Sequence, residues 1–92
     1  MEQALPDLAT TMRNEYRTLT IRELLSQQSG LLRDPTIAFT DATPRLQRES
    51  MTRWALQQPP ASVRNTYFYS NVNYIIAGAI AERTTKIGRA HV

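Results

Sequence analysis

Apolar residues in this chain recur at helical spacing in three short segments and nowhere run longer than eight residues, Tyr74 to Ala81. Ile21, Leu24 and Leu25 form the first set, and Ser29-Gly30 closes it. Leu46, Met51, Trp54, Ala55 and Leu56 form the second, ahead of Pro59-Pro60, and Val72, Ile75, Ile76, Ala79 and Ile80 form the third. A chain patterned this way cannot cross a membrane as a helix and must bury its core by packing short helices together. Helices are predicted over about 21–28, 45–57 and 72–83. A weaker pattern, Leu5, Leu8, Ala9 and Met12 behind Pro6-Asp7, predicts a helical turn near the N-terminus.

Local chemistry sharpens these boundaries. Thr20 followed three residues later by Glu23 is a capping box, in which each side chain satisfies a backbone N–H at the other end. Between Leu32 and Pro44, Asp34-Pro35, Asp41 and Thr43-Pro44 predict a loop. Trp54 reads as a core anchor. Tyr67-Phe68-Tyr69 reads as a short aromatic, strand-like run. Asn71 follows it at once and is the expected N-cap of the last helix.

Composition narrows the classes further. With no cysteine among 92 residues, neither a disulfide framework nor a thiolate metal site is possible. The formal charge of +3 rests partly on Lys86–Val92, a tail that resembles the translation of a sequencing adapter and holds the only Lys and the only His, His91. Without it nine basic residues face eight acidic ones, so charge does not argue for nucleic acid. That tail is set apart, leaving residues 1–85 as one small unit. The acidic start Met1-Glu2 and the lack of an apolar run behind it do not read as a signal peptide.

Two segments carry a resemblance. Tyr69-Ser70-Asn71-Val72-Asn73-Tyr74 through Glu82 resembles the Y-x-N motif and following helix of the serine β-lactamase-like family, close to Y-S-N-x-x-Y-x-x-x-G-x-I-I-E. That family includes class C β-lactamases, D-alanyl-D-alanine carboxypeptidases and related esterases. Upstream, Leu19 to Leu31 resembles its I-T-I-R-x-L-L-x-H-x-S-G-L segment, in the same order along the chain. The resemblance covers about residues 4–85. It implies a mostly α chain, a fragment of the helical subdomain of a fold that joins an α/β part to an all-α part. It implies a serine hydrolase working through an acyl-enzyme on a small-molecule or peptidoglycan-type substrate, with no cofactor and no metal. It also favours an extracytoplasmic location. By the same resemblance Tyr69 is the proton-transferring phenol and Asn71 the orienting amide, with Ser70 a spacer between them. A phenol, with a reference pKa of about 10, needs a nearby Lys to do such work near neutrality.

The sequence departs from the family at several points. None of the serines at 26, 29, 50, 62 and 70 has Lys three residues on, so the S-x-x-K nucleophile motif is missing. No K-T-G or H-x-G segment follows, Gln28 stands where the family often has His, and Val63-Arg64 replaces Pro-Gly before the aromatic run. The chain by itself is therefore expected to be inactive. Two other functions compete: a non-catalytic homologue that binds cell-wall peptide, and a helix-turn-helix DNA reader built on Thr20–Leu31. The second needs a polar recognition helix after Gly30, where the sequence offers loop chemistry instead.

Overall fold

The computed structural model describes residues 1–85, so the reading of Lys86–Val92 as a foreign tail lies outside the described residues. A 3₁₀ turn over Pro6–Leu8 is followed by helices α1 (Asn14–Arg17), α2 (Ile21–Leu25), α3 (Pro44–Ala55) and α4 (Asn71–Thr85). Among the described residues there is no strand. The mostly α expectation holds. The strand-like reading of 67–69 does not: Phe68 N–H bonds singly to the Gln27 carbonyl at 2.8 Å, and no ladder forms around it.

Helix α4 lies at the centre, packed mainly on α3 and then on α2. Its Val72, Ile76 and Ile80 share one buried cluster with Leu56 and Ala55 of the α3 end and Leu24 of α2, completed by Met1, Leu5, Leu8, Met12, Tyr16, Leu19 and Leu31. Each fully buried Leu or Ile contributes roughly 1.5–3 kcal/mol by leaving water. The α2 stripe is only partly used: Leu24 is buried, but Ile21 and Leu25 are exposed. Trp54 is half-buried at the core's edge and meets Phe39 edge-on, with ring centroids 6.0 Å apart.

The boundaries follow caps more closely than periodicity. α2 has the predicted box, with Glu23 N–H donating to Thr20 Oγ1 (3.1 Å) and Thr20 N–H to Glu23 Oε1 (3.0 Å). It ends at Leu25 rather than near 28, because Gln27 takes a left-handed φ of 61°. Gln27 N–H then bonds the Leu24 carbonyl and Gln28 N–H the Glu23 carbonyl, the Schellman arrangement that closes a helix. α3 begins one residue before the expectation: Thr43, which reads as loop, caps Leu46 N–H at 3.2 Å, and Pro44 occupies the first turn where its missing N–H costs nothing.

Ion pairs clamp α3 to α4. Arg48 makes a two-pronged contact with Glu82 (2.7 and 2.9 Å), and Arg83 joins Glu49 of α3 (2.6 Å) and Asp7 of the 3₁₀ turn. These hydrogen bonds hold the Asp7 and Glu82 carboxyls below their ordinary range.

Two substitutions test this packing. Gly30 has φ +80°, and an added Cβ would sit 2.8 Å from the Ser62 carbonyl oxygen. Gly30→Ala is expected to cost at least about 1–3 kcal/mol in urea unfolding, from left-handed strain and the backbone clash together. Thr52 is fully buried, and among the described residues its Oγ1 has no partner. Thr52→Val, which keeps the shape and removes the orphaned hydroxyl, is expected to raise stability by about 0.5–1.5 kcal/mol. A melt in which Thr52→Val unfolds earlier than the parent would contradict the assignment of that hydroxyl as unsatisfied.

Candidate active site

Three pieces of chain converge at the N-terminus of α4: the segment 27–34 after α2, the turn and extended run 63–70, and Asn71–Asn73 of α4 itself. α4 starts at Asn71, not at 72, and its cap is Ser70 rather than Asn71. Ser70 Oγ accepts from Asn73 N–H (3.3 Å) and donates to the Leu32 carbonyl (2.7 Å). The Arg33 carbonyl accepts from the N–H groups of Asn71 (2.8 Å) and Val72 (3.3 Å). The open amides of the helix start are thereby satisfied without the Asn71 side chain.

That side chain is turned outward instead. Tyr69 Oη donates to Asn71 Oδ1 (2.9 Å), and Asn71 Nδ2 donates to Asp34 Oδ1 (2.7 Å). The phenol, the amide and the carboxylate thus lie in line along one edge. The Arg33 guanidinium stands 5.6 Å from the Tyr69 ring centroid, within cation–π reach. Tyr69 is 45% exposed and its hydrogen bond to Asn71 lies at the surface, whereas Ser70 between the two is fully buried. The structure therefore brings Tyr69 and Asn71 into direct contact. No lysine lies among the described residues, since the only one in the sequence is Lys86. Neighbouring Tyr67 is 68% exposed.

Beneath this edge lies a buried polar network that the sequence reading missed. Gln27 Oε1 accepts from Ser70 N–H and from Asn73 Nδ2, both at 2.8 Å. Asn73 Oδ1 accepts from Ser29 Oγ (2.6 Å), which in turn accepts from Leu31 N–H (3.1 Å). Gln27, Ser29, Ser70 and Asn73 are all buried. Ser29 is thus more than a helix stop. The signal was available in Asn73: a polar residue next to Val72, on the buried side of an apolar helix, needs partners. Set against L-L-x-H-x-S-G-L, Leu24-Leu25-Ser26-Gln27 places Gln27, rather than Gln28, at the family's His, and it is Gln27 that is buried.

The Val63-Arg64 departure from Pro-Gly still yields a tight turn. Thr66 N–H bonds the Val63 carbonyl (3.2 Å), and Asn65 takes the positive φ of 70° that a type II turn requires at its third residue. Arg64 then grips α2, with Nε on Glu23 Oε2 (2.6 Å), NH2 on Glu23 Oε1 (2.7 Å) and NH1 on Thr18 Oγ1 (2.8 Å). These bonds hold the Glu23 carboxyl down at about 2, against an ordinary 4.5.

With this geometry in view, the comparisons are consistent. The beta-lactamase family matches residues 2–90, nearly the whole chain, and the chain belongs to that family. No curated protein and no solved structure matches it. Membership makes it a relative of serine hydrolases that act on small molecules. Among the described residues no group of side chains is suited to a metal ion, and no helix is long and apolar enough to cross a membrane. No helix follows α2 before Pro44, so a DNA-reading recognition helix has no counterpart here.

The Glu23–Arg64 pair gives a pH signature. Glu23 has a folded pKa below its unfolded one, so its contribution is complete above about pH 5 and is lost as pH falls towards 2. Arg64→Gln is expected to cost about 1 kcal/mol at pH 7 in urea unfolding, allowing for the partial exposure of Arg64. The gap between parent and variant should shrink as pH drops from 5 to 2. An equal gap at every pH would assign the effect to packing rather than to the ion pair.

Proposed function

We propose that this chain supplies the Tyr-x-Asn edge of a serine hydrolase active site, whose nucleophile comes from an S-x-x-K segment outside this sequence. The serine of that segment attacks a carbonyl carbon, its lysine assists in removing the hydroxyl proton, and an acyl-enzyme forms as the leaving group departs. Tyr69 carries a proton between nucleophile and leaving group, and water then releases the acyl group. Asn71 orients the lysine and the substrate's amide. The substrates are β-lactams, D-alanyl peptides or small esters, all of which present a carbonyl with a leaving group that must gain a proton.

The observation that carries this reading is the Tyr69 Oη–Asn71 Oδ1 contact on an accessible edge. A mere core aromatic beside a helix cap would be buried, and its neighbour would cap the helix. Here Tyr69 is exposed and Ser70 does the capping, so Tyr69 and Asn71 are paired with each other and with Asp34 at the surface instead of being used in the helix cap. Family membership supports the hydrolase class.

The test compares two phenols in the enzyme that carries this segment together with its nucleophile. Tyr69→Phe keeps the ring and removes the proton carrier, so kcat/KM for a chromogenic ester or cephalosporin should fall by about 10²–10⁴, or roughly 3–5 kcal/mol of transition-state stabilisation. Tyr67→Phe, at an exposed ring, should leave both kcat/KM and the melting temperature unchanged. The 92-residue chain treated with a fluorescent penicillin should show no covalent adduct by mass spectrometry. Near-parent activity of Tyr69→Phe, or stoichiometric labelling of a serine in the short chain, would overturn the assignment.

A further inference from the structure

Gln27 has three properties that packing alone does not call for. It is only 4% exposed, its backbone sits at φ 61°, and among the described residues its side-chain Nε2 has no hydrogen-bond partner. A buried amide left half-unsatisfied destabilises the fold, and a left-handed φ at a residue other than glycine or asparagine adds to that cost. Both costs are borne at one residue, and the same residue makes an arrangement that neither glycine nor an apolar side chain could make.

That arrangement brackets Tyr69. The Gln27 carbonyl accepts from Phe68 N–H at 2.8 Å, and Gln27 Oε1 accepts from Ser70 N–H at 2.8 Å. The two amides held are those immediately before and immediately after Tyr69. Oε1 also takes Asn73 Nδ2 at 2.8 Å, which fixes the first turn of α4 from which Asn71 projects. One residue therefore sets the backbone of Tyr69 on both sides and the helix turn that carries its partner.

We propose that Gln27 is a positioning residue for the Tyr69–Asn71 pair: its main-chain and side-chain oxygens, aimed at one segment by the left-handed backbone, fix where the phenol and the amide point. This rests on the hydrolase reading above. Catalytic groups must be held to within a fraction of an ångström, and a shift of about 1 Å can cost on the order of 10²-fold in rate. Gln27 touches neither substrate nor reacting atoms, and acts through the backbone of residues 68–73.

The test uses variants that separate positioning from folding, in the enzyme that carries the nucleophile. Gln27→Asn favours the left-handed backbone and keeps the carbonyl, but its shorter side chain withdraws the acceptor from Ser70 N–H. It should lower the melting temperature, because buried Ser70 N–H and Asn73 Nδ2 lose their acceptor, and, assayed well below the melt, kcat should fall about 10–100-fold while KM moves less than about threefold. Gln27→Glu retains an oxygen for Ser70 N–H whether ionised or protonated, and should restore kcat to within about fivefold. Tyr69→Phe, measured alongside, separates the two claims. If Tyr69→Phe is impaired while Gln27→Asn keeps the parent kcat, the positioning role is overturned and the hydrolase reading stands. If Tyr69→Phe is unimpaired, the hydrolase reading falls and the positioning role falls with it. Equal kcat losses in Gln27→Asn and Gln27→Glu, tracking a lowered melting temperature, would reduce Gln27 to a structural residue.

Discussion

Asn73 lies fully buried on α4 with an amide that must be satisfied from elsewhere, and among the described residues the segment after α2 satisfies it. Its Nδ2 goes to Gln27 and its Oδ1 to Ser29, residues 46 and 44 positions away. Apolar burial is non-directional, whereas a buried amide with two fixed partners is not, because each broken bond strands a polar atom away from water. This pairing sets the register between the segment 27–31 and the start of α4. The rest of the edge follows from it: the Arg33 carbonyl reaches the first amides of α4, Ser70 reaches Leu32, and Asp34 reaches Asn71.

The same register explains why the two sequence segments that resemble the beta-lactamase family belong together. Read singly, Thr20–Leu31 is a capped helix with a stop, and Tyr69–Glu82 is an aromatic residue ahead of a helix. In the folded chain the stop is the partner of the helix start. Gly30 lies so close to the backbone of Ser62 and Arg64 that a Cβ would clash with the Ser62 carbonyl oxygen, and its own carbonyl receives the N–H groups of Ala61 (2.9 Å) and Ser62 (3.2 Å). Arg64, in place of the family's Gly, adds an ion pair from the turn to Glu23. The support under Tyr69 therefore comes from α2 and its exit, on the far side of 40 intervening residues.

Ion pairing has a separate task on the opposite side of α4. Arg83 and Arg48 connect the helix to α3 and to the 3₁₀ turn, and the hydrogen bonds from these arginines hold the Asp7 and Glu82 carboxyls below their ordinary range. Pairs this exposed contribute little each. They fix the direction of α4 after apolar burial has fixed its depth, and the two ends of the helix are thus anchored by different physics: buried amides at the start, solvated charges near the end.

Much of the helical content was legible in the residues. The Thr20–Glu23 box and the Val72–Ile80 stripe depend on contacts within a few positions, and local hydrogen bonding and periodicity report such contacts directly. The candidate pair Tyr69 and Asn71 was also legible, through its resemblance to a family motif. What the sequence did not show is which polar residue does which job. Ser70 caps α4 and Asn71 does not, because the Arg33 carbonyl already serves the first amides and Asp34 draws the Asn71 side chain outward. Gln27 ends α2 early because its left-handed backbone is held by partners at Phe68, Ser70 and Asn73. Ile21 and Leu25 have the spacing of core residues but lie exposed, since only the Leu24 side of α2 meets α4. Local pattern determines where a helix can form; which of its faces is buried, and which of its polar side chains are consumed in holding it, depends on residues far along the chain, 37 positions away in the case of Asn71 and Asp34, that only the tertiary structure brings into contact.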